Sequence, residues 1–156
     1  MSDKLTVTTP SDLEIVMTRV FDAPRTLVFE AHSTCEHLSK WWGRGNPLDC
    51  TLDFRPGGSY RMVEHADGTE YVFFGEYHEI VAPEKIVQTF KYEGMPGKTI
   101  VETLTFEEHG GKTTLTSTSR FESVEDRDGM IASGMEVGAR ESLDKLEELL
   151  AELVNR

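Results

Sequence analysis

The side-chain pattern changes period once, and that change limits what the chain can fold into. Between Leu48 and Phe121 apolar and polar residues alternate in short runs broken by turn residues; after Ser123 the apolar positions recur every three or four. Leu48, Cys50, Leu52 and Phe54 alternate with Asp49, Thr51 and Asp53, the period of a half-buried strand. Pro56-Gly57-Gly58 turns the chain into a strand at 59–65, and Asp67-Gly68 is a hairpin signal before a strand at 70–81. Gly75 inside that strand predicts a bulge or strong bend. Pro83, Gly94–Gly97 and Gly110-Gly111 then separate strands at 85–92, 99–107 and 112–121. Downstream, Ile131, Met135, Gly138, Ser142, Leu146, Leu149 and Leu153 share one helical face, with Glu136, Arg140, Glu141, Asp144, Lys145, Glu148 and Glu152 opposite. The pattern predicts one helix from Ser123 or Glu125 nearly to Asn155, roughly 40 Å long.

Upstream, residues 1–11 read as a lead-in, and the alternation of Leu13, Ile15 and Met17 predicts a first strand. Asp22 is the expected cap of a short helix with Pro24 in its first turn and Leu27, Val28 and Ala31 on its buried side. Thr34 is expected to cap a second short helix that Gly43 and Gly45 end. The order is β-α-α-β6-α, about seven strands, in a single α+β domain at 12–154. A large antiparallel sheet must cover its apolar face, and the last helix has the matching face. The economical arrangement curves the sheet around that helix. Gly134, Gly138 and Ser142 put very small residues on the gripped face. Either a sheet residue presses close there or a cavity lies beside them.

The chain carries 16 Lys and Arg against 28 Asp and Glu, a net charge of −12. That balance opposes general nucleic-acid binding and adsorption to anionic membranes. Cys35 and Cys50 are expected as reduced thiols rather than a disulfide framework. The polar start, Met1-Ser-Asp-Lys-Leu, does not read as a signal peptide, so a cytoplasmic protein without membrane insertion is expected.

No phosphate-binding glycine loop, nucleophile elbow or His-Glu-x-x-His pair is present. His32, Cys35, His37 and Cys50 lack the spacing of a structural zinc site, with His37 expected on an exposed helix face; neither metal nor cofactor is expected. Glu64, His65, Glu76 and His78 fall on neighbouring strands, where surface solvation is the ordinary role. The aromatic set makes the binding argument. Trp41, Phe54, Tyr60, Phe73, Phe90 and Phe106 could surround an apolar ligand, with Trp42 facing in or out. Met62, Met130 and Met135 could adapt to its shape. His32 stands near the expected mouth, and Gly138, Ala139 and Ser142 would form the helical side. Each of these is also ordinary core material.

Several motifs together carry a family resemblance over about residues 12–153. They are Thr18-Arg19-Val20-Phe21-Asp22-Ala23-Pro24, Glu36-His37-Leu38-Ser39-Lys40-Trp41-Trp42-Gly43, Arg55-Pro56-Gly57-Gly58-Ser59-Tyr60-Arg61, and Asp67-Gly68-Thr69-Glu70-Tyr71. Glu79-Ile80-Val81-Ala82-Pro83-Glu84-Lys85-Ile86 and Gly134–Leu143 complete the set. The chain resembles the START-like (SRPBCC) superfamily, and more closely the family similar to the C-terminal domain of the activator of the heat-shock-protein-90 ATPase. The resemblance implies a helix-grip fold with a cavity between sheet and terminal helix. It implies no single activity: relatives bind lipids, hormones or polyketide-like molecules, some cyclise or hydrate substrates, and the namesake assists a chaperone. His32 stands where relatives often have an aromatic residue, and Ala139 where they commonly have Trp. If both face inward, the cavity is larger and more polar than usual. The leading expectation is binding of a small hydrophobic or aromatic molecule. A chaperone-associated interaction domain and a cyclase- or hydrolase-like enzyme using His32, Tyr60 or Glu64 are the alternatives, and a homodimer stays open.

Overall fold

In the computed structural model, which describes residues 5–155, eight antiparallel strands form one sheet in the order β1-β2-β8-β7-β6-β5-β4-β3. The strands are β1 (Thr6–Thr8), β2 (Glu14–Phe21), β3 (Leu48–Leu52), β4 (Ser59–Ala66), β5 (Thr69–Val81), β6 (Lys85–Tyr92), β7 (Ile100–His109) and β8 (Lys112–Arg120). Helices α1 (Arg25–Glu30) and α2 (Cys35–Trp41) follow β2, with a tight turn at Trp42–Gly45. Helices α3 (Val124–Ala132) and α4 (Met135–Val154) end the chain. This is the helix-grip arrangement, a curved antiparallel sheet against a long C-terminal helix. No helix among the described residues is long and apolar enough to cross a membrane.

The strand run matches the alternation, with one addition. β1 lies in the stretch expected as lead-in and pairs with β2 through Thr6–Thr18, Val7–Met17 and Thr8–Val16. Gly75 does mark an irregular strand: its missing Cβ would meet the Thr89 carbonyl oxygen at 2.0 Å, and the β5–β6 register shifts between Tyr77 and Glu79. The irregularity thus falls beyond Gly75, whose missing side chain serves the close approach of β5 and β6.

Four local expectations are corrected. The helix expected over 123–155 is two helices, because Ser133 and Gly134 interrupt it; Gly134 has φ 81°, a left-handed conformation that ends α3 and starts α4. At 20 residues α4 is about 30 Å long. Asp22 does not cap α1: Pro24 holds that position without a side-chain hydrogen bond. Thr34 does cap α2, its Oγ1 accepting from His37 N at 3.2 Å. His37 is buried rather than exposed, since its ring turns back to Thr34 Oγ1 at 3.1 Å. Finally, Cys35 and Cys50 are joined in a disulfide that ties the start of α2 to edge strand β3, their Cα atoms 5.6 Å apart. The reduced-thiol expectation fails because the topology brings together two residues whose facing positions spacing alone does not reveal.

The core is continuous. Phe21, Val28, Ile86, Phe106 and Leu146 are at most 1% exposed and occupy the contact between sheet, α1 and the C-terminal half of α4.

Candidate functional site

Towards the N-terminal half of α4 the packing opens. A cavity of about 440 Å³ lies between the concave sheet face and α4, closed on one side by α2 and the Trp42–Gly45 turn. Packed interiors hold few voids larger than a water molecule, so this space is a feature of the fold rather than ordinary packing noise.

Most of its wall follows from strand alternation. On β4, Tyr60, Met62 and Glu64 point inward; on β5, Phe73 and Tyr77; on β6, Gln88 and Phe90; on β7, Ile100, Glu102 and Leu104. The helix supplies Met135, Gly138, Ala139, Ser142 and Leu143, with Met130 from α3. A Cβ at Gly138 would meet nothing within 4 Å, so no sheet residue presses against it. The small-residue stripe thus resolves position by position. Gly134 is an exposed helix break, Gly138 borders open space, and Ser142 Oγ accepts a hydrogen bond from Arg44 N at 2.9 Å.

Among the residues expected at a site, His32, Trp41, Tyr60, Met62, Phe73, Phe90, Met130, Met135, Gly138, Ala139 and Ser142 all lie on the cavity wall. Phe54 and Phe106 do not. Phe54 packs on Phe29 and Tyr77, and Phe106 sits behind His32, also against Phe29, as core. Trp42 faces inward, its ring 5.1 Å from that of Phe73. Trp41 is fixed by its indole N–H, which donates to the Ala31 carbonyl at 3.0 Å.

The polar groups are held individually. His32 Nδ1 lies 2.8 Å from the Val28 carbonyl and donates to it, which leaves Nε2 as an acceptor. Burial among Trp41 and Phe106 lowers its pKa to about 4, so the ring is neutral at pH 7. The Tyr60 hydroxyl donates to the Thr89 carbonyl at 2.5 Å, and burial pushes its pKa far above the ordinary phenol value. Glu64 is buried near the turn, where Asn46 Nδ2 donates to it at 2.8 Å and the Arg44 guanidinium lies 3.9 Å away. His65 instead pairs with Asp49 at 2.8 Å on the outside, and Glu76 and His78 are exposed. His32, Cys35, His37 and Cys50 do not converge, since the cysteines bond each other and the two imidazoles are turned to Val28 and Thr34.

The model of the family described as activator of Hsp90 ATPase homolog 1-like protein matches residues 22–151. The chain belongs to that family. A Staphylococcus epidermidis protein solved in solution is 31% identical, with 94% of each chain covered and a TM-score of 0.77. An Arthrobacter aurescens protein is 26% identical over 94% of this chain and 91% of that one, with a TM-score of 0.86. The crystal structure of a Rhodobacter sphaeroides protein superposes with a TM-score of 0.88 at 23% identity, covering 96% and 99%, and shares the fold. No curated protein matches the chain.

Within this activator-homologue family chain, both departures noted in the sequence, His32 and Ala139, face the cavity. The sequence reading missed a polar row on the opposite wall. Tyr77, Gln88, Glu102 and Ser119 are paired in register across β5, β6, β7 and β8, all on the inward face. Gln88 Nε2 donates to Glu102 Oε1 at 2.9 Å, and burial raises the Glu102 pKa, opposed by that hydrogen bond. The signal was present: Ile100, Glu102, Leu104 and Phe106 share one phase of β7, so Glu102 is a carboxyl in an otherwise apolar register.

Proposed function

We propose that this protein binds a small apolar or aromatic molecule in the cavity between the sheet and the N-terminal half of α4. The observation that carries the proposal is the cavity itself, about 440 Å³ and walled chiefly by aromatic and aliphatic side chains with a few fixed polar groups. Ligand pockets generally have this size and composition. Binding without turnover is the reading we favour. His32, Tyr60 and Glu64 make their hydrogen bonds to Val28, Thr89 and Asn46 rather than to one another, so these three do not form a nucleophile–base pair. The family description names an activator of the Hsp90 ATPase, and the cavity favours a small ligand over a chaperone partner or a homodimer. The disulfide removes the thiol argument for a cytoplasmic location.

The test is titration with the neutral fluorescent probe N-phenyl-1-naphthylamine. Saturable binding is expected, weakened at least about tenfold by Ala139→Trp, whose indole would occupy the space beside Gly138. Unchanged binding in a folded variant would place the ligand elsewhere.

A further inference from the structure

Glu102 is an inward carboxyl on β7 in the middle of the sheet wall, whereas the inward Glu64 lies on β4, next to the β3 edge. The neighbours of Glu102 in register are Gln88 and Ser119, flanked by Ile100 and Leu104 along its own strand. One oxygen, Oε1, is held by the Gln88 amide; among the described residues Oε2 has no hydrogen-bonding partner. Both cations that reach this cavity are ion-paired, although Nε and Nη1 of the buried Arg19 make no hydrogen bond among the described residues. Arg19 pairs with Asp144 at 2.8 Å and Glu147 at 3.2 Å, and Arg44 lies against Glu64 and Glu141. Glu102 is half-buried, so Oε2 faces the cavity with room for a ligand group, and a carboxylate among apolar neighbours is costly to keep unless something completes it.

We propose that Glu102 is the recognition group for a basic amine, so that the ligand is an apolar or aromatic molecule carrying one protonated nitrogen; this rests on the binding role proposed above. The ammonium donates to Oε2, while Gln88 keeps the carboxyl oriented and relieves Oε1. The aromatic body lies against Phe73 and Phe90, whose rings stack 5.4 Å apart on the same wall, with Trp42 edge-on to Phe73. Aromatic faces tolerate a neighbouring cation. An anionic ligand would meet Glu102 as a like charge in a low-dielectric space, and a neutral one would leave Oε2 without a charged partner. The net charge of −12 draws cations towards the molecule before they reach the cavity.

The experiment uses two competitors of nearly equal size, 1-naphthylmethylamine and 1-naphthalenemethanol, displacing N-phenyl-1-naphthylamine at pH 7.5. With the unmodified protein, the amine is expected to displace the probe at a concentration at least about tenfold lower than the alcohol, because charge-assisted hydrogen bonds are about twice as strong as neutral ones. In Glu102→Gln the amine's advantage over the alcohol should vanish, each competitor being compared at the probe affinity measured for that variant. That variant should melt no lower than the parent, since burial disfavours the carboxylate it removes. Equal displacement by the two competitors in the parent, or an amine preference that survives Glu102→Gln, would overturn the amine assignment and leave the cavity reading intact. Absence of saturable probe binding to folded protein would overturn both.

Discussion

The two halves of α4 turn the same helical face towards the same sheet, yet they meet different surroundings. In the C-terminal half Leu146, Leu149 and Leu150 are 0–3% exposed and belong to the cluster that includes Phe21, Val28 and Phe106. In the N-terminal half Met135, Gly138, Ala139, Ser142 and Leu143 are only half-buried, because they border the cavity. Arg19 marks the boundary. Its buried guanidinium reaches from β2 to Asp144 and Glu147, one turn of helix apart, and pins α4 between the open and the sealed segment. A uniform 3.6-residue period therefore serves two ends. Side-chain volume decides which half is core and which is chamber.

The largest expected difference between the halves is in stability. Leu146→Ala should cost about 3 kcal/mol, because it removes a fully buried side chain from a region with no room to collapse. Met135→Ala, on the open side, should cost less than about 1 kcal/mol, since its side chain already borders empty space. Urea unfolding of the two variants measures both values. Similar losses would mean that the N-terminal half is packed as tightly as the C-terminal half.

The next effect is a pH dependence confined to the open half. His32 has an unfolded pKa near 6.5 and a folded pKa of about 4, so below pH 6.5 the unfolded chain takes up a proton that the folded one refuses. Stability should fall as pH drops from about 6.5 to about 4 and stop responding to this group below that. With the ring opening partly on the cavity, the loss is roughly 2–3 kcal/mol. His32→Phe should flatten that part of the curve in thermal melts taken across the range. Glu102 works in the opposite sense. Its folded pKa lies above the unfolded one, so lowering the pH through the folded value relieves the burial of its charge. A His32→Phe protein that still loses stability between pH 6.5 and 4 would shift the explanation to other groups.

How much of this was readable beforehand depends on which interaction made each feature. Local periodicity exposed the strands from β2 to β8 and the gripping face of α4, because alternation and the three-to-four spacing are written within each segment. β1 was missed because three residues carry too little pattern, and Thr6–Thr8 becomes a strand only through its pairing with β2. The Cys35–Cys50 bond was missed for the same reason, since it joins a helix start to an edge strand across the fold. The cavity wall was partly legible. Residues such as Tyr60, Met62 and Phe73 stand out in the sequence by size and polarity, yet size does not separate the wall from Phe54 and Phe106, which are core. Glu102, by contrast, could have been found by asking which residue breaks the apolar phase of its own strand.

The smallest effect is the most specific to the comparison, because it reverses the usual sign. Gly138 lies inside α4, where glycine costs about 0.5–1 kcal/mol relative to alanine. The new methyl would meet nothing within 4 Å, so Gly138→Ala should stabilise the protein by about that amount. Gly75 provides the opposing case. A Cβ there would sit 2.0 Å from the Thr89 carbonyl oxygen, so Gly75→Ala must displace β5 from β6 and destabilise the sheet. A paired thermal-melt measurement therefore separates a glycine kept beside open space from one required by close contact. If Gly138→Ala melted lower than the parent, the space beside α4 would be filled, and the difference between the helix's two halves would disappear with it.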